Sequence, residues 1–529
     1  MRHHASVPAS GHVFVTLGDL TKFAADALIL PTDRAFTVEE AWRGLRDPDV
    51  VAPAALARGA IRAFVHQPGS GEDQRLRVWT NVGAESPVSS EWFVEGACEA
   101  LERAADALGG QTIKGAAGRR PLVGLPLVGT GLGGGRHRSG DIVKALLPRL
   151  GAVASEKGVD VALVLMRERT YAAVQAARAS MTDTTFDALL TPELRREGDT
   201  LAGYARRGDL VLFIGAGASI GGGLPGWGDL LDRLAAQAGF SDDERAKLRN
   251  LDELDRARIV QMRLEASSHR RLGEHIASMM TASPFRPLTQ TLLASLPVSQ
   301  AATTNYDELF EGASRDVGID CAILPYKPAP TRRRWLLKLH GCVTHPEHIV
   351  LTRDDYLRFS SSRAALAGIV QALMVTRHML FVGFSLRDDN FHRILHDVRS
   401  TMTAAGVGDQ PFGTALALFA EPFKQDLWER DVRIIPASTE EWATAHGNPA
   451  LEQDAVRRLL VLLDYIGMRA ASGTSHLLDP QFDGVLSDPD VEVGRALQAL
   501  ASRLGPAEWK TSAGQRVLAL LKEVGWDGA

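Results

Sequence analysis

The sequence predicts an α/β protein of two successive units, each a largely parallel sheet wrapped in helices. Three observations predict this. A chain of 529 residues exceeds what one ordinary hydrophobic core organises. Short apolar runs alternate with amphipathic helical stretches, once before Arg178 and again from Asp209 onward. In each half an apolar run stops on glycines, as "PLVGLPLVGTGLGGG" at 121–135 and "VLFIGAGAS" at 211–219.

The elements follow in chain order. "HVFVTLGDL" (12–20), "ADALILPTD" (25–33) and "RLRVWTNVG" (75–83) read as strands, and Trp92 to Leu108 has the spacing of an amphipathic helix. A strand within 121–135, a helix from Ser139 and a strand at "VDVALVLM" (159–166) complete a first domain, 1–178. The polar segment 179–200 reads as a linker turning into a helix. The second domain, 201–438, opens on "DLVLFIGAGAS" and continues with mostly helical sequence over 228–296. Strands are then expected at "QAATTNYD", "WLLKLHG", "HIVLT", "HMLFVGFS", "GTALALFA" and "DVRIIPA". From Thr439 to the end the pattern is helical, giving a C-terminal region, 439–529.

Composition narrows the function classes. With 45% hydrophobic and 23% charged residues and a net charge of −5, the chain is that of a globular protein and not of a dedicated nucleic-acid binder. Arg332-Arg333-Arg334 is a local basic patch only. Cys98, Cys321 and Cys342 are scattered and fit neither a disulfide framework nor a paired metal-ligand spacing. No apolar run is long enough to span a bilayer, and the first residues carry no signal-peptide core, so the expectation is a cytoplasmic protein without a membrane partner.

The glycines after the 211–214 strand carry chemistry. Gly-x-Gly between a strand and a helix lets backbone N–H groups approach a diphosphate, assisted by the helix dipole. The hydride-transfer fingerprint would need a third glycine where Ile220 stands and an acid closing a second strand. The chain turns instead into "IGGGLPGWGDLL". Three more clusters follow strand ends: Asn305 and Asp307 in "TTNYDELF", His340 and Gly341 in "KLHGCV", and Gly383, Ser385, Asp388 and Asp389 in "FVGFSLRDDNF". Ligands of doubly wound sheets bind outside the carboxyl ends of the strands. Singly, these are ordinary turn residues, and Asp388 or Asp389 suits the cap of a helix near Asn390. Their ordered set points to a dinucleotide site.

The order GAG-x-S, G-x-P, T-x-N-x-D, HG and G-x-S resembles the sirtuin family over roughly 200–437. The wording "GLPGW", "TTNYD", "LHG" and "GFSLRDDNF" is most similar to the sirtuin-like domains of bacterial anti-phage effectors. The resemblance implies a Rossmann-like parallel sheet with a helical insertion, and cleavage of NAD at the nicotinamide–ribose bond. It implies Asn305, His340 and Asp307 as catalytic residues. His340 would be the base at a ribose hydroxyl or water, Asn305 would fix the water or carboxamide, and Asp307 would hold the carboxamide. It implies Gly215, Ala216, Gly217, Ser219, Pro225, Trp227, Gly383 and Ser385 as dinucleotide contacts, with Trp227 over the nicotinamide side.

Two departures shape the expected reaction. Three dispersed cysteines cannot build the zinc ribbon of protein-deacylating sirtuins, so no zinc and no cofactor beyond NAD as substrate are expected. The loop 223–228, "GLPGWG", lacks the acid and arginine of its family counterpart. Both favour hydrolysis of NAD itself. Two other readings use the same residues: a protein-modifying deacylase or ADP-ribosyltransferase, and a non-catalytic NAD or ADP-ribose sensor.

The first domain resembles the macro domain, a three-layer ADP-ribose-binding α/β fold. "GDLTKFAADA" (18–27) and the loop "GTGLGGG" (129–135) carry the likeness. It implies a signal site at Asp19, Gly129, Gly131, Gly133 and Gly134. Leu30-Pro31-Thr32-Asp33 replaces the family's "NAAN" run, so binding or sensing is implied and not hydrolysis of ADP-ribose conjugates. Together the resemblances imply a gated NAD-depleting effector of the Thoeris type, a homo-oligomer switched by an ADP-ribose-derived signal from a TIR-type partner.

Overall fold

The computed structural model describes residues 10–69, 71, 73–83, 89–109, 119–131, 133–181, 184–268, 270–280, 284–328, 334–407, 410–471 and 473–528. Arg332 and Arg333 of the basic patch lie outside the described residues. The chain divides into two compact units, 1–199 with 461–529, and 200–460. Residues 439–529, read from sequence as one helical region, therefore divide between the units, within the helix Pro449–Ala470.

In the first unit, β1 (Val13–Leu17), β2 (Ala27–Thr32), β3 (Ala63–His66), β4 (Leu76–Asn81), β5 (Leu122–Leu125) and β6 (Asp160–Leu165) form a sheet in the order β1-β6-β5-β2-β4-β3. All pairs are parallel except β3 with β4. The apolar runs "VFVTL" and "DVALVL" are buried along their whole length, as strands covered on both faces must be. The helix Ser90–Gly109 packs through Phe93, Ala97, Leu101, Ala104 and Leu108, the i, i+4, i+7 spacing of one face. The short antiparallel edge β3 has no counterpart in the sequence reading.

The C-terminal segment completes this unit through a buried charge cluster. Asp464 is fully buried, 2.7 Å from His12 Nε2, and accepts from Arg178 Nη1 at 2.9 Å. Burial alone would push its carboxyl up. Arg178 and His12 outweigh that and hold it below the ordinary carboxylate range.

The second unit is a seven-stranded, all-parallel sheet: β7 (Leu210–Ile214), β8 (Gln300–Thr303), β9 (Cys321–Leu324), β10 (Arg334–Lys338), β11 (His378–Val382), β12 (Gly413–Ala417) and β13 (Val432–Pro436). The order is β13-β12-β11-β7-β8-β10-β9. The chain leaves β7 in one direction and returns at β11 on its other side, so the switch point lies between β7 and β11. Between β7 and β8 stand the helices Trp227–Gln237, Asp242–Leu248, Glu253–Ser267, Leu272–Met279 and Leu288–Ser295, most of them around their own core of Leu231, Leu234, Val260, Leu264 and Ile276. The expected helical insertion is therefore present. The expected strand "HIVLT" is not: His348 ends a 3₁₀ turn and 349–352 is a loop, in which Val350 N–H donates to His340 O at 2.9 Å. The short strand β9 pairs with β10 instead.

Among the described residues no helix is long and apolar enough to cross a membrane. All three cysteines are free thiols.

Candidate active site

The loops after β7, β8, β10 and β11 meet at the carboxyl edge of the second sheet, around a cavity of about 650 Å³. That is ample for a small-molecule ligand. Ala216, Gly217, Ser219, Pro225, Trp227, Asn305, Asp307, His340, Gly383 and Ser385 all line it. Of the residues implied for this site only Gly215 stands back from the wall.

The glycines have a reason the sequence reading missed. Gly215 N–H donates to Val382 O and Gly217 N–H to Gly383 O, each at 2.9 Å. A Cβ on Gly215 would lie 2.4 Å from Gly383 O. The bare backbone thus lets two loops lock together across the switch point. These two amides are engaged within the protein. Gly383 adopts φ +66°, and a Cβ there would lie 2.1 Å from Ala218 N. Gly383→Ala is expected to cost at least about 1–2 kcal/mol for the left-handed backbone alone, with the overlap adding to it. Urea denaturation of the variant measures this, and an unchanged midpoint would show that the loops do not depend on each other.

Behind the cavity wall lies a buried polar network. Thr303, closing β8, donates to Ile214 O at 2.7 Å and accepts from Asn305 N at 2.9 Å. Asn305 Nδ2 donates to Gly215 O at 3.0 Å and to Ser219 Oγ at 3.1 Å. Ser219 Oγ donates to Asp307 Oδ2 at 2.8 Å, and Asp307 Oδ1 accepts from Leu309 N at 3.0 Å. Gly215 O is an acceptor only, so the amide orientation of Asn305 is fixed. Its carbonyl oxygen Oδ1 is buried without a protein partner. Asp307 spends its carboxylate on Ser219 and the Leu309 amide, and so anchors the loop that carries Asn305.

His340 is buried, and its Nδ1 also has no protein partner. Nε2 lies 3.6 Å from Asp388 Oδ2 and 3.5 Å from Asn390 Nδ2. Asp388 caps the helix Asp389–Ala404 through Phe391 N at 2.8 Å, as its sequence position suggested, and also accepts from Tyr356 Oη at 2.6 Å. Burial lowers the His340 pKa, against the opposing charge of Asp388 and with Arg363 reinforcing it. Tyr356 was not found in the sequence, because it stands in no motif; Asn390 stands in "FVGFSLRDDNF" but was read only as the start of a helix. Trp227, half-buried, opens the helix 227–237, with its ring 6.4 Å from that of Tyr306. Ser385 is exposed at the cavity rim.

In the first unit Asp19 follows β1, and the loop 126–135 follows β5, both at the carboxyl edge of that sheet. Asp19 Oδ1 accepts from Thr21 N at 3.0 Å and Thr21 Oγ1 at 2.7 Å, capping the turn Leu20–Lys22. Gly129 and Gly134 have φ +79° and +87°. Gly135 N–H closes the loop on Gly129 O at 2.9 Å. Gly131 faces Glu39, and a Cβ on Gly133 would lie 3.0 Å from Val82 O. Leu132 lies outside the described residues. Asp33, in the run that departs from the macro pattern, accepts from Thr37 N at 2.7 Å.

Residues 299–434 match the family model described as SIR2-like domain. The chain is 31% identical over 204 residues to the NAD(+) hydrolase ThsA of Bacillus cereus (strain MSX-D12), covering 36% of this chain and 40% of that protein. It is 27% identical over 207 residues to the NAD(+) hydrolase ThsA of Enterococcus faecium, with the same coverage of 36% and 40%. It is 27% identical over 202 residues to defense-associated sirtuin 2 of Bacillus subtilis, covering 37% of this chain and 20% of that protein. The chain thus spans about two fifths of the ThsA proteins it matches.

Proposed function

We propose that the second unit hydrolyses NAD+ at the nicotinamide–ribose bond, releasing nicotinamide and ADP-ribose, as a gated effector of bacterial anti-phage defence. One observation carries the reading. Asn305 Oδ1 and His340 Nδ1 are buried polar atoms that the protein leaves unpartnered, and both residues line the same cavity. Such atoms cost free energy unless a ligand or water meets them. The similarity to NAD(+) hydrolases supports the choice of substrate.

The reaction consumes one water and releases one proton. Nicotinamide leaves as a neutral group, so the protein need supply little acid. Cleavage leaves an oxocarbenium-like ribose, and the work is to hold the dinucleotide and place a nucleophile. Asn305 Oδ1 accepts a hydrogen bond from water or a ribose hydroxyl, and His340 Nδ1 takes the proton. Asp388, held by Tyr356, places a carboxylate on the far side of the imidazole, 3.6 Å from Nε2. No step needs a metal. Incubation of the purified chain with NAD+ tests the reading: free nicotinamide and ADP-ribose are expected, whereas acyl-peptide turnover or a modified protein without hydrolysis overturns it.

The lowered His340 pKa predicts a pH profile. A neutral imidazole is the active form, and it persists below the ordinary histidine value of about 6.5. The acid limb of kcat/KM is therefore expected below that value, and the His340→Ala variant should lose it. An acid limb above pH 6.5 would exclude His340 as the base.

The first unit is assigned the gate, as a binder of an ADP-ribose-like signal at Asp19 and the glycine loop. The two positive-φ glycines of a loop at the carboxyl edge of a parallel sheet support this reading. Calorimetric titration of the full chain with ADP-ribose and its cyclic isomers is the test. Asp19→Asn keeps an acceptor for Thr21 and removes the charge, so ligand binding should weaken while basal hydrolysis is unchanged. Gly133→bulky is unsuitable, because its side chain would strike Val82 O within the unit. No binding by the full chain would leave the unit a structural element.

A further inference from the structure

The segment following His340 carries a set of metal-ligand side chains outside the cavity. Pro346–His348 forms a turn of 3₁₀ helix preceded by His345, closed by His348 N–H to His345 O at 2.9 Å. In this geometry residues three apart eclipse one another, so the two imidazoles share a face. Glu347 comes between them. Its Oε1 lies 3.7 Å from His345 Nδ1 and 3.7 Å from His348 Nδ1, and the three donor atoms fall within 4.8 Å of one another. Metal bonds of about 2.0–2.1 Å in a tetrahedral site place donors about 3.3–3.4 Å apart. The two histidine–glutamate distances need to close by only a few tenths of an ångström, and the two imidazole nitrogens start within 4.8 Å of each other, a gap that side-chain rotation closes.

The scaffold under these side chains is fixed. Tyr326 stacks on His345 at 4.0 Å between ring centroids and 13° between planes, which orients that imidazole. Arg363 Nη2 donates to His348 O. Gly341, at φ +98°, lets the backbone of His348 pack against it, where a Cβ would lie 2.5 Å from His348 O. Ligand side chains on a held backbone need little ordering when a metal arrives. A second grouping, Glu308, Glu311 and Cys342, is less suited, because Glu311 is already paired with Lys338 at 2.7 Å.

We propose that His345, Glu347 and His348 bind one zinc-class divalent cation, with water at the fourth position. Two imidazoles and a carboxylate are a donor set that zinc accepts, and thiolate-preferring ions are disfavoured. The site is separate from hydrolysis. Its effect is to tie down the segment 342–349 that continues from His340.

The test is calorimetric titration of the metal-stripped full chain with Zn²⁺, alongside thermal unfolding with and without it. One equivalent is expected to bind. His345→Ala and His348→Ala should each weaken binding by more than about 100-fold and Glu347→Gln by at least about tenfold. Zn²⁺ should raise the unfolding midpoint of the parent chain and leave that of His345→Ala unmoved. The side chains are half-exposed, at 40%, 49% and 53%, so these variants are expected to fold. Uptake that is not stoichiometric, survives both histidine variants, or disappears in Glu308→Gln overturns the proposal. In that case Glu347 makes only a surface ion pair, worth little.

Discussion

Nicotinamide release by the His340→Ala variant is expected to fall by about 10²–10⁴, the range for loss of one general base, with the fold preserved. The structure makes this the cleaner of two tests. The polar neighbours of His340 Nε2 stand at 3.5 and 3.6 Å, too far for strong hydrogen bonds. Asp388 keeps its bonds to Tyr356 and Phe391 when the imidazole is gone. Asn305→Ala is expected to lower the rate by about 10²–10³, as for removal of one preorganised polar group. It also removes one of two donors to Gly215 O, which keeps the Ala218 N–H at 3.0 Å, so the stability loss is expected to be about 0.5–1.5 kcal/mol, that of one ordinary hydrogen bond. Rapid-quench measurement of nicotinamide, with urea midpoints for both variants, separates chemistry from folding. Near-parent turnover in His340→Ala would remove it from the mechanism.

The second unit was legible where chemistry and punctuation coincide. "VLFIGAGAS" and "HMLFVGFS" announce strands because their apolar runs are buried on both faces, and their terminal glycines announce close approach. What approaches was not legible. The partner of Gly215 and Gly217 is the Gly383 loop, more than 160 residues away in sequence, and no local pattern encodes that meeting. Asn305, Asp307 and His340 were placed by ordered motifs, and all three reach the cavity. Tyr356 was invisible, since it sits in the polar helix Arg353–Ser362 and acts only through Asp388. Short strands with mixed burial, β3 and β9, gave no periodic signal. "HIVLT" gave a false one, because Val350 and Leu351 are buried by the helical insertion and the sheet helices, with no strand partner. The C-terminal helices were legible as helices, but their attachment through Asp464 to His12 and Arg178 spans most of the chain.

Lys338→Ala is expected to destabilise the protein by about 3–5 kcal/mol, the cost of breaking a buried ion pair from one side. In the sequence this lysine closes the strand "RWLLK". In the structure it is fully buried, 2.7 Å from the buried Glu311 carboxylate and 3.3 Å from Tyr306 O, with Asp307 O as a further acceptor. Burial would lower its pKa, but Glu311, Cys342 and Asp307 outweigh that and hold it above the ordinary lysine value, so it carries its charge. Removing the ammonium leaves Glu311 without a counter-ion and takes a donor from the Asp307 and Tyr306 carbonyls, the latter keeping the Val343 N–H at 3.0 Å. Burial already pushes the Glu311 carboxyl up, and without Lys338 it rises further and takes a proton. A carboxyl raised in the folded state favours folding at low pH and loses that contribution as pH rises through its folded value. The deficit of Lys338→Ala relative to the parent should therefore shrink from pH 7 to pH 5. The Lys338→Met/Glu311→Leu pair should recover most of the loss, since an apolar pair of similar volume carries no desolvation penalty. Urea midpoints of the three variants at both pH values decide it. A loss below about 1 kcal/mol for Lys338→Ala, or a deficit that grows toward acid, would mean that the pair does not hold the Tyr306–Asp307 backbone on which Asn305 depends.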